Sequence, residues 1–238
     1  MIATRLSRVP PFERGLTLGD FLVPIRLGER AAAWQRNVAL IVIGAALITF
    51  GAYVSFNVPQ FALGNFYVPA NPYVPFSLQT FGVLFVGATL GFRRGLAATL
   101  LYLLIGAVGM PVFALDAATG RHASGLATIA TIRDGGLVLG ATGGYLVGFV
   151  FAAGAVGRLA ELGWDRNLRG SIAAMLFGSL LIYAVGIPWL AVAAHLDVST
   201  TLQFGLWPFI PGDVVKLLVA AGLLPVGWRL VSRRPHDL

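Results

Sequence analysis

The segment SIAAMLFGSLLIYAVGIPWLA (residues 171–191) contains no charged side chain in 21 consecutive positions. A helix of about 20 predominantly apolar residues is long enough to cross the ~30 Å hydrocarbon core of a bilayer. The segment therefore predicts a transmembrane helix. The rest of the chain is therefore interpreted as part of a membrane protein.

The composition of the whole chain agrees with this interpretation. Of its 238 residues, 57% are hydrophobic and only 11% are charged, whereas roughly 25% of the residues in a soluble domain are charged. Five further apolar segments of similar length lie at residues 38–56, 76–92, 95–112, 135–157 and 212–230. We therefore predict an all-α, polytopic membrane protein with a bundle of six transmembrane helices. This composition excludes a cytosolic enzyme, and the absence of cysteine excludes disulfides and thiolate chemistry.

The positions of the basic residues predict the orientation. Fourteen of the 17 basic residues fall in the N-terminal arm, the two connections 93–94 and 158–169, and the C-terminal tail. Since cytoplasmic loops are enriched in Lys and Arg, both termini are predicted to be cytoplasmic in the cell membrane. Residues 1–36 then form a basic cytoplasmic arm and residues 37–238 a transmembrane domain. The net charge of +7 is dispersed between the spans, so it does not indicate nucleic-acid binding.

Two segments on the opposite side are predicted to cover the bundle. Residues 57–75 contain four prolines and no charge, so they cannot be helical and are predicted to lie over the bundle as a lid. Residues 114–134 are rich in Gly, Ala and Thr and are interpreted as a mobile flap, with a structureless surface loop as the alternative. Within the predicted fourth span, small residues recur at every fourth position and predict a helix-packing face. These are Gly136, Gly140, Gly144, Gly148 and Ala152.

The last apolar segment contains a charged pair. Lys216, the only lysine, follows Asp213 by three residues, which places both side chains on one face of a helix. An ionisable residue inside a membrane span is costly and indicates a functional site. The preceding Pro208–Gly212 is not expected to be helical throughout, so Asp213 is predicted at the helix N-terminus. The alternative is a helix cap in which Asp213 merely forms a salt bridge with Lys216.

Ser77 and Gln79 lie at the same end of the membrane as this pair. A few polar groups converging in an apolar site are typical of a small-molecule pocket. The predicted ligand is small and partly apolar, with both N–H donors and acceptors. An intramembrane enzyme that uses Asp213 remains an alternative, although a single carboxylate is weak support for catalysis. Nothing in the pattern predicts a metal or a cofactor, and no Walker A lysine is present to bind ATP.

Five strings resemble one known family in order and approximate spacing. They are VPFSLQT (74–80), LGFRRG (90–95), GMPVFA (109–114), GATGGYL (140–146) and PFIPGD (208–213). Together with Lys216 they are similar to the BioY family, the biotin-binding S components of energy-coupling factor (ECF) transporters. The resemblance extends over roughly residues 38–230. It implies uptake of biotin by a membrane-embedded binding protein; an S component for another small vitamin is the nearest alternative.

The resemblance also implies specific residues and partners. Ser77, Gln79, Arg133, Asp213 and Lys216 would contact biotin. Tyr145, in the fourth string, would contribute to the same site. The partners would be a transmembrane coupling protein and two cytosolic ATPases, which alone would use ATP; family members have also been considered as transporters without this module. The chain departs from the family pattern at Ala141, where proline is usual, at Asp134, which interrupts an Arg-Gly-Gly run, and at its two longer loops. The docking pattern of S components is matched only weakly, by Ala45 and Thr49.

Overall fold

The computed structural model describes residues 15–22, 30–57, 60–63, 66–133 and 135–232. This part of the chain is mostly helical. Its α-helices are α1 (Leu18–Leu22), α2 (Arg30–Tyr53), α3 (Gln79–Ala107), α4 (Gly143–Glu161), α5 (Leu168–Ala193), α6 (Val198–Gly205) and α7 (Ile210–Ser232). Five of them, α2, α3, α4, α5 and α7, are long and apolar enough to cross a membrane.

Short strands complete the loops at one end of the bundle. They are β1 (Ser55–Phe56), β2 (Phe61–Leu63), β3 (Phe66–Val68), β4 (Phe76–Ser77), β5 (Ala130–Arg133) and β6 (Gly136–Leu139). Within the described ranges they form three antiparallel pairs, β1 with β4, β2 with β3 and β5 with β6. The prediction of an all-α protein thus applies to the membrane-crossing elements, while the loops add these small hairpins.

Helix α3 is broken at Gly91, where φ is 81° and ψ is −179°. The amide of Gln79, at the start of α3, donates to the hydroxyl of Tyr102, although a straight helix would separate these residues by about 35 Å. A Cβ on Gly95 would lie 2.9 Å from the Cα of Gly87. The chain therefore doubles back at Gly91, and the two halves of α3 pack side by side where the sequence predicted two separate spans.

Small residues on α4 allow it to pack closely against its neighbours. A Cβ on Gly144 would lie 2.2 Å from the Cβ of Trp189 on α5, and one on Gly148 would lie 3.0 Å from the Cα of Ile182. The predicted packing face is therefore present from Gly144 onwards. The prediction that this helix begins near residue 135 is wrong, because Gly136 belongs to strand β6 and α4 starts only at Gly143.

Strand β6 replaces the predicted first turns of this helix for a local reason. Gly135 has φ of 78°, a left-handed conformation that favours glycine and supports a tight turn. The β-branched and apolar residues on both sides, Thr131-Ile132 and Leu137-Val138, suit paired strands. A four-residue glycine spacing cannot distinguish this arrangement from a helix.

The charged groups at the end of the bundle near Gly91 form a compact network. Arg94 pairs with Asp20 of α1 at 2.9 Å, and Gly15 N donates to the carbonyl of Glu161 at the end of α4. Burial alone would raise the pKa of Asp20, but hydrogen bonds from Arg94 and Thr17 outweigh it and lower the pKa below its usual value. The described part of the N-terminal arm is therefore attached to the bundle.

At the opposite end, α7 begins earlier than the sequence suggested. The helix starts at Ile210, and Asp213 N already donates to the carbonyl of Phe209 at 2.8 Å. Proline is tolerated in a first helical turn, where its missing N–H is not needed. As expected, Pro208–Gly212 is not helical throughout, since only its last three residues belong to α7, and Asp213 lies in the first turn of this helix. Helix α6 was not predicted; the Asp197 carboxylate caps it by accepting from Ser199 N.

Candidate ligand-binding site

A cavity of about 700 Å³ lies at the end of the bundle opposite the Gly91 turn. This volume is within the ~300–1,000 Å³ typical of small-molecule pockets. Its walls come from the start of α3, the first turns of α4, the middle of α5, the first turns of α7, and the loops 73–77, 113–128 and 140–142. Both predicted covering segments thus contribute to the site. The alternative of a structureless loop at 114–134 is wrong, since this segment contains β5 and a Leu115–His122 bridge.

The Asp213–Lys216 pair lies in the wall of this cavity. Lys216 Nζ is 2.8 Å from Asp213 Oδ1, and the lysine side chain is only 9% exposed. The ammonium group also lies 4.1 Å from the ring centre of Phe76 and 3.4 Å from Thr80 Oγ1. A burial this deep is tolerated because the lysine has a partner of opposite charge and an aromatic face.

The second oxygen of Asp213, Oδ2, accepts a hydrogen bond from the Tyr183 hydroxyl of α5. Both carboxylate oxygens therefore bind side chains from inside the bundle. A carboxylate oxygen offers two acceptor positions, so each retains one for a ligand. The Asp213–Lys216 salt bridge, which the helix-cap alternative also predicts, is present. In the described structure, however, the carboxylate contacts side chains that face the pocket and does not cap a helix.

Ser77 and Gln79 line the same cavity from the entry to α3. Ser77 Oγ accepts from the backbone N of Gln79 at 3.3 Å. The Gln79 amide is buried and donates to the Tyr102 hydroxyl. The hydroxyl of Ser77 and the buried amide of Gln79 thus belong to the same pocket as Asp213, as the sequence predicted.

The structure describes the side chain of Tyr145 but only the backbone of Arg133. The ring of Tyr145 lines the cavity, while its hydroxyl donates to the carbonyl of Gly205 at 2.9 Å and fixes α4 to α6. The backbone of Arg133 pairs with Gly136 at the end of the β5–β6 hairpin. Its side chain lies outside the described part of the structure, so a contact between Arg133 and a ligand stays a prediction.

Several lining groups were not predicted as site residues. The loop 113–128 brings Asp116, Arg121 and His122 to the cavity. The loop is held by the stacking of His122 on Tyr53 of α2, with ring centres 4.0 Å apart. Tyr183 was missed as well. The available signals were the clustering of charges in the flap and a tyrosine inside a charge-free span.

Arg121 is exposed, and it has no ion-pair partner among the described residues. Its backbone is fixed by a turn in which Asp116 N donates to the Arg121 carbonyl at 2.8 Å. The carboxylate of Asp116 accepts from Thr119 N at 2.7 Å. The cavity therefore has a buried, internally neutralised pair in one wall and a solvated cation in another.

Comparisons with known proteins identify the relatives of this chain. The family model described as "BioY family" matches residues 25–233. The biotin transporter BioY of Rhizobium etli is 35% identical over 84% of this chain and 98% of its own length. That of Rhodobacter capsulatus is 37% identical over 86% and 97%. A solved S-component for biotin from an ECF-type ABC transporter superposes with a TM-score of 0.64 at 23% identity, covering 88% of this chain and 98% of its own, and thus shares the fold.

Proposed function

Because this chain belongs to the BioY family, we propose that it captures biotin for uptake, as the membrane-embedded S component of a biotin transporter. The observation that carries the proposal is the cavity with the Asp213–Lys216 pair in its wall. The relatives that are 35–37% identical in sequence are named as biotin transporters, which argues against another vitamin as the substrate. The chain is a transporter component and not an enzyme, so a catalytic role for Asp213 is not supported, and we propose a binding role for it.

We further propose that the chain crosses the membrane six times. The two halves of α3, residues 79–90 and 92–107, extend about 18 and 24 Å at 1.5 Å per residue, which is less than the ~30 Å core, so the residues that flank them, 76–78 and 108–112, would complete the two passes. With α2, α4, α5 and α7 they make six passes, so both termini share one side. The basic connections at 93–94 and 158–169 support a cytoplasmic location for that side. The cavity then opens to the exterior of the cell membrane.

The chemistry of biotin suggests how it binds. Its ureido ring has two N–H donors and one carbonyl acceptor, and its aliphatic tail ends in a carboxylate. A free acceptor position on Asp213 would receive one ureido N–H group, and the ammonium of Lys216 would donate to the ureido oxygen beside it. Ser77 and Gln79 would add polar contacts, while Tyr145, which lines the cavity, would cover the apolar ring. Arg133 is kept as a proposed contact on the family resemblance alone.

The tail carboxylate would instead face Arg121. At the Asp213–Lys216 pair a ligand carboxylate would place two anions around one ammonium in a poorly solvated site, which is unfavourable. Arg121 has no ion pair in the described structure and is well suited to a carboxylate, because guanidinium groups bind such anions with paired N–H donors.

Equilibrium binding to the detergent-purified protein tests both assignments. The wild type should bind biotin, and failure to bind a large excess would refute the proposed function. Arg121→Gln should weaken biotin binding several-fold and leave the binding of biotinamide, whose tail is uncharged, unchanged. Arg169→Gln, an exposed arginine at the other end of the bundle, is the matched control. Equal losses for both ligands would refute the role of Arg121.

The proposed partners are a transmembrane coupling protein and two ATPase subunits; the ATPases would supply all nucleotide chemistry. The pattern at Ala45 and Thr49 gives this docking no support. Ala45 is buried against the rest of the bundle, and the Thr49 hydroxyl donates to the Ala45 carbonyl. Co-purification of a tagged chain with a coupling protein from its native membrane tests the association directly.

A further inference from the structure

The β5–β6 hairpin carries an uncovered apolar surface beside the cavity. Ile132 and Leu137 are directly opposite each other on the two strands, and their exposed fractions are 79% and 71%. Val138 and Leu126 are exposed close by in sequence. The pair Ile132–Leu137 on one face of the ribbon, with Val138 exposed on the other, is unfavourable in water and indicates a contact surface.

The base of this hairpin contacts α5 about one turn before the cavity-side end of that helix. The indole N–H of Trp189 donates to the carbonyl of Gly140, directly after β6, at 2.9 Å. A Cβ on Gly143 would lie 3.0 Å from the same indole nitrogen. Trp189 precedes the last residue of α5, Ala193, by four positions, or about 6 Å along the helix axis. The hairpin therefore starts at a depth that belongs to an apolar, membrane-crossing helix.

The exposed surface of α5 continues toward this region. Leu176, Leu180 and Val192 are exposed large apolar residues on α5, as expected of side chains that face lipid. Strand β6 packs against α5, so its exposed apolar residues adjoin a helix whose exposed apolar residues face lipid. This continuity favours lipid over a protein partner as the occupant of the hairpin surface.

We propose that the β5–β6 hairpin rests in the membrane leaflet on the cavity side, with Ile132 and Leu137 at the boundary between headgroups and acyl chains. A deeper position is excluded because the outer edges of a two-stranded ribbon present unpaired backbone groups, which need water or headgroups as partners. The hairpin would thereby anchor one wall of the cavity to the membrane. This inference does not depend on the identity of the ligand.

The chain contains no cysteine, so single spin labels can be introduced without removing a native thiol. Ile132→Cys is labelled in lipid nanodiscs that contain one protein each, and its collision rates with oxygen and with a water-soluble nickel complex are compared. Leu180→Cys on α5 serves as the lipid reference. Ala118→Cys, in an exposed loop at the same end of the bundle, serves as the water reference.

The proposal expects the label at Ile132 to favour oxygen over nickel, at a shallower depth than the label at Leu180. Leu137→Cys should give the same result and serves as the second variant if the first is unstable. A label at Ile132 as accessible to nickel as the one at Ala118 would overturn the proposal. In liposomes, spin–spin broadening that grows with protein density would also overturn it, because a second copy would then be the occupant.

Discussion

Replacing Asp213 by Asn is the sharpest test of the proposed site. The substitution keeps the shape of the side chain but replaces one carboxylate oxygen by an N–H donor and removes the negative charge. Lys216 Nζ then loses a charged partner at 2.8 Å, and the Tyr183 hydroxyl, which donates to Asp213 Oδ2 in the wild type, can keep its contact only by accepting from the new N–H group. Two effects follow, one on ligand affinity and one on stability.

The expected loss of biotin affinity is tenfold to a hundredfold. A charge-assisted hydrogen bond contributes about 1.5–3 kcal/mol, and about 1.4 kcal/mol corresponds to a factor of ten in Kd. Stability should also fall, because removal of one partner of a buried ion pair costs about 3–5 kcal/mol. We expect the lower end of that range or less, since the Asp213 side chain is 17% exposed and opens onto the cavity.

The assay is isothermal titration of biotin into the purified variant, together with its melting temperature. Asp197→Asn is the matched control: Asp197 only caps α6, and Asn caps a helix about as well as Asp. Its biotin affinity should equal that of the wild type. If Asp213→Asn folds and binds biotin with unchanged affinity, the carboxylate does not contact the ligand. The pair is then only a salt bridge near a helix end.

Three further predictions concern the fold. Burial of Asp165 raises its pKa to about 6, although a hydrogen bond from Trp228 acts in the opposite direction. Because this pKa is above the ~3.9 of an aspartate in an unfolded chain, protonation stabilises the fold. The stabilisation, up to about 3 kcal/mol, is complete below pH ~4 and is lost as the pH rises through 6. The advantage in melting temperature of Asp165→Asn over the wild type should therefore be present at pH 8 and shrink toward pH 4; a pH-independent difference would contradict this. Gly91→Ala should destabilise the protein by about 1–3 kcal/mol, since a Cβ there would meet the Thr17 Cγ2 atom at 2.8 Å and φ is 81°; an unchanged melting temperature would show that the turn is not constrained. Topology reporters in the 158–169 connection and at the C-terminus should be cytoplasmic and those in 114–134 external, and an external C-terminus would exclude six spans.

The sequence was sufficient to predict the features that depend on short spacings. The three-residue separation of Asp213 and Lys216 requires a common helix face, and the structure shows the resulting ion pair. The arginine pair between Gly91 and Gly95 marked the reversal within α3. These predictions succeeded because each rests on neighbours in the chain, where helix geometry leaves few alternatives.

The features that were missed depend on contacts between distant residues. Arg121 lines the cavity because loop 113–128 is held against α2 and α3: the Tyr53 ring stacks on His122, and Gly125 N donates to the Gly106 carbonyl. Tyr183 joins the site through the packing of α5 against α7. The start of α4 was misplaced because glycines spaced by four residues fit both a helix and the hairpin that precedes it. The spacing of the glycines alone does not distinguish a helix from a hairpin.

The charge balance of the cavity explains how one site can be stable in the membrane and selective for its ligand. Without a ligand, Asp213 and Lys216 neutralise each other, so neither charge is left unpaired in a poorly solvated environment. A neutral ureido group can add its hydrogen bonds to the free acceptor positions without breaking this pair. An anion cannot do so without adding an uncompensated charge. The same pair that is tolerated without a ligand would therefore disfavour a carboxylate beside it, and the exposed Arg121 would provide that carboxylate with a separate partner. On this reasoning the ureido ring and the tail of biotin have only one favourable orientation in the cavity. A ligand with two carboxylates and no N–H donors should not compete for the site.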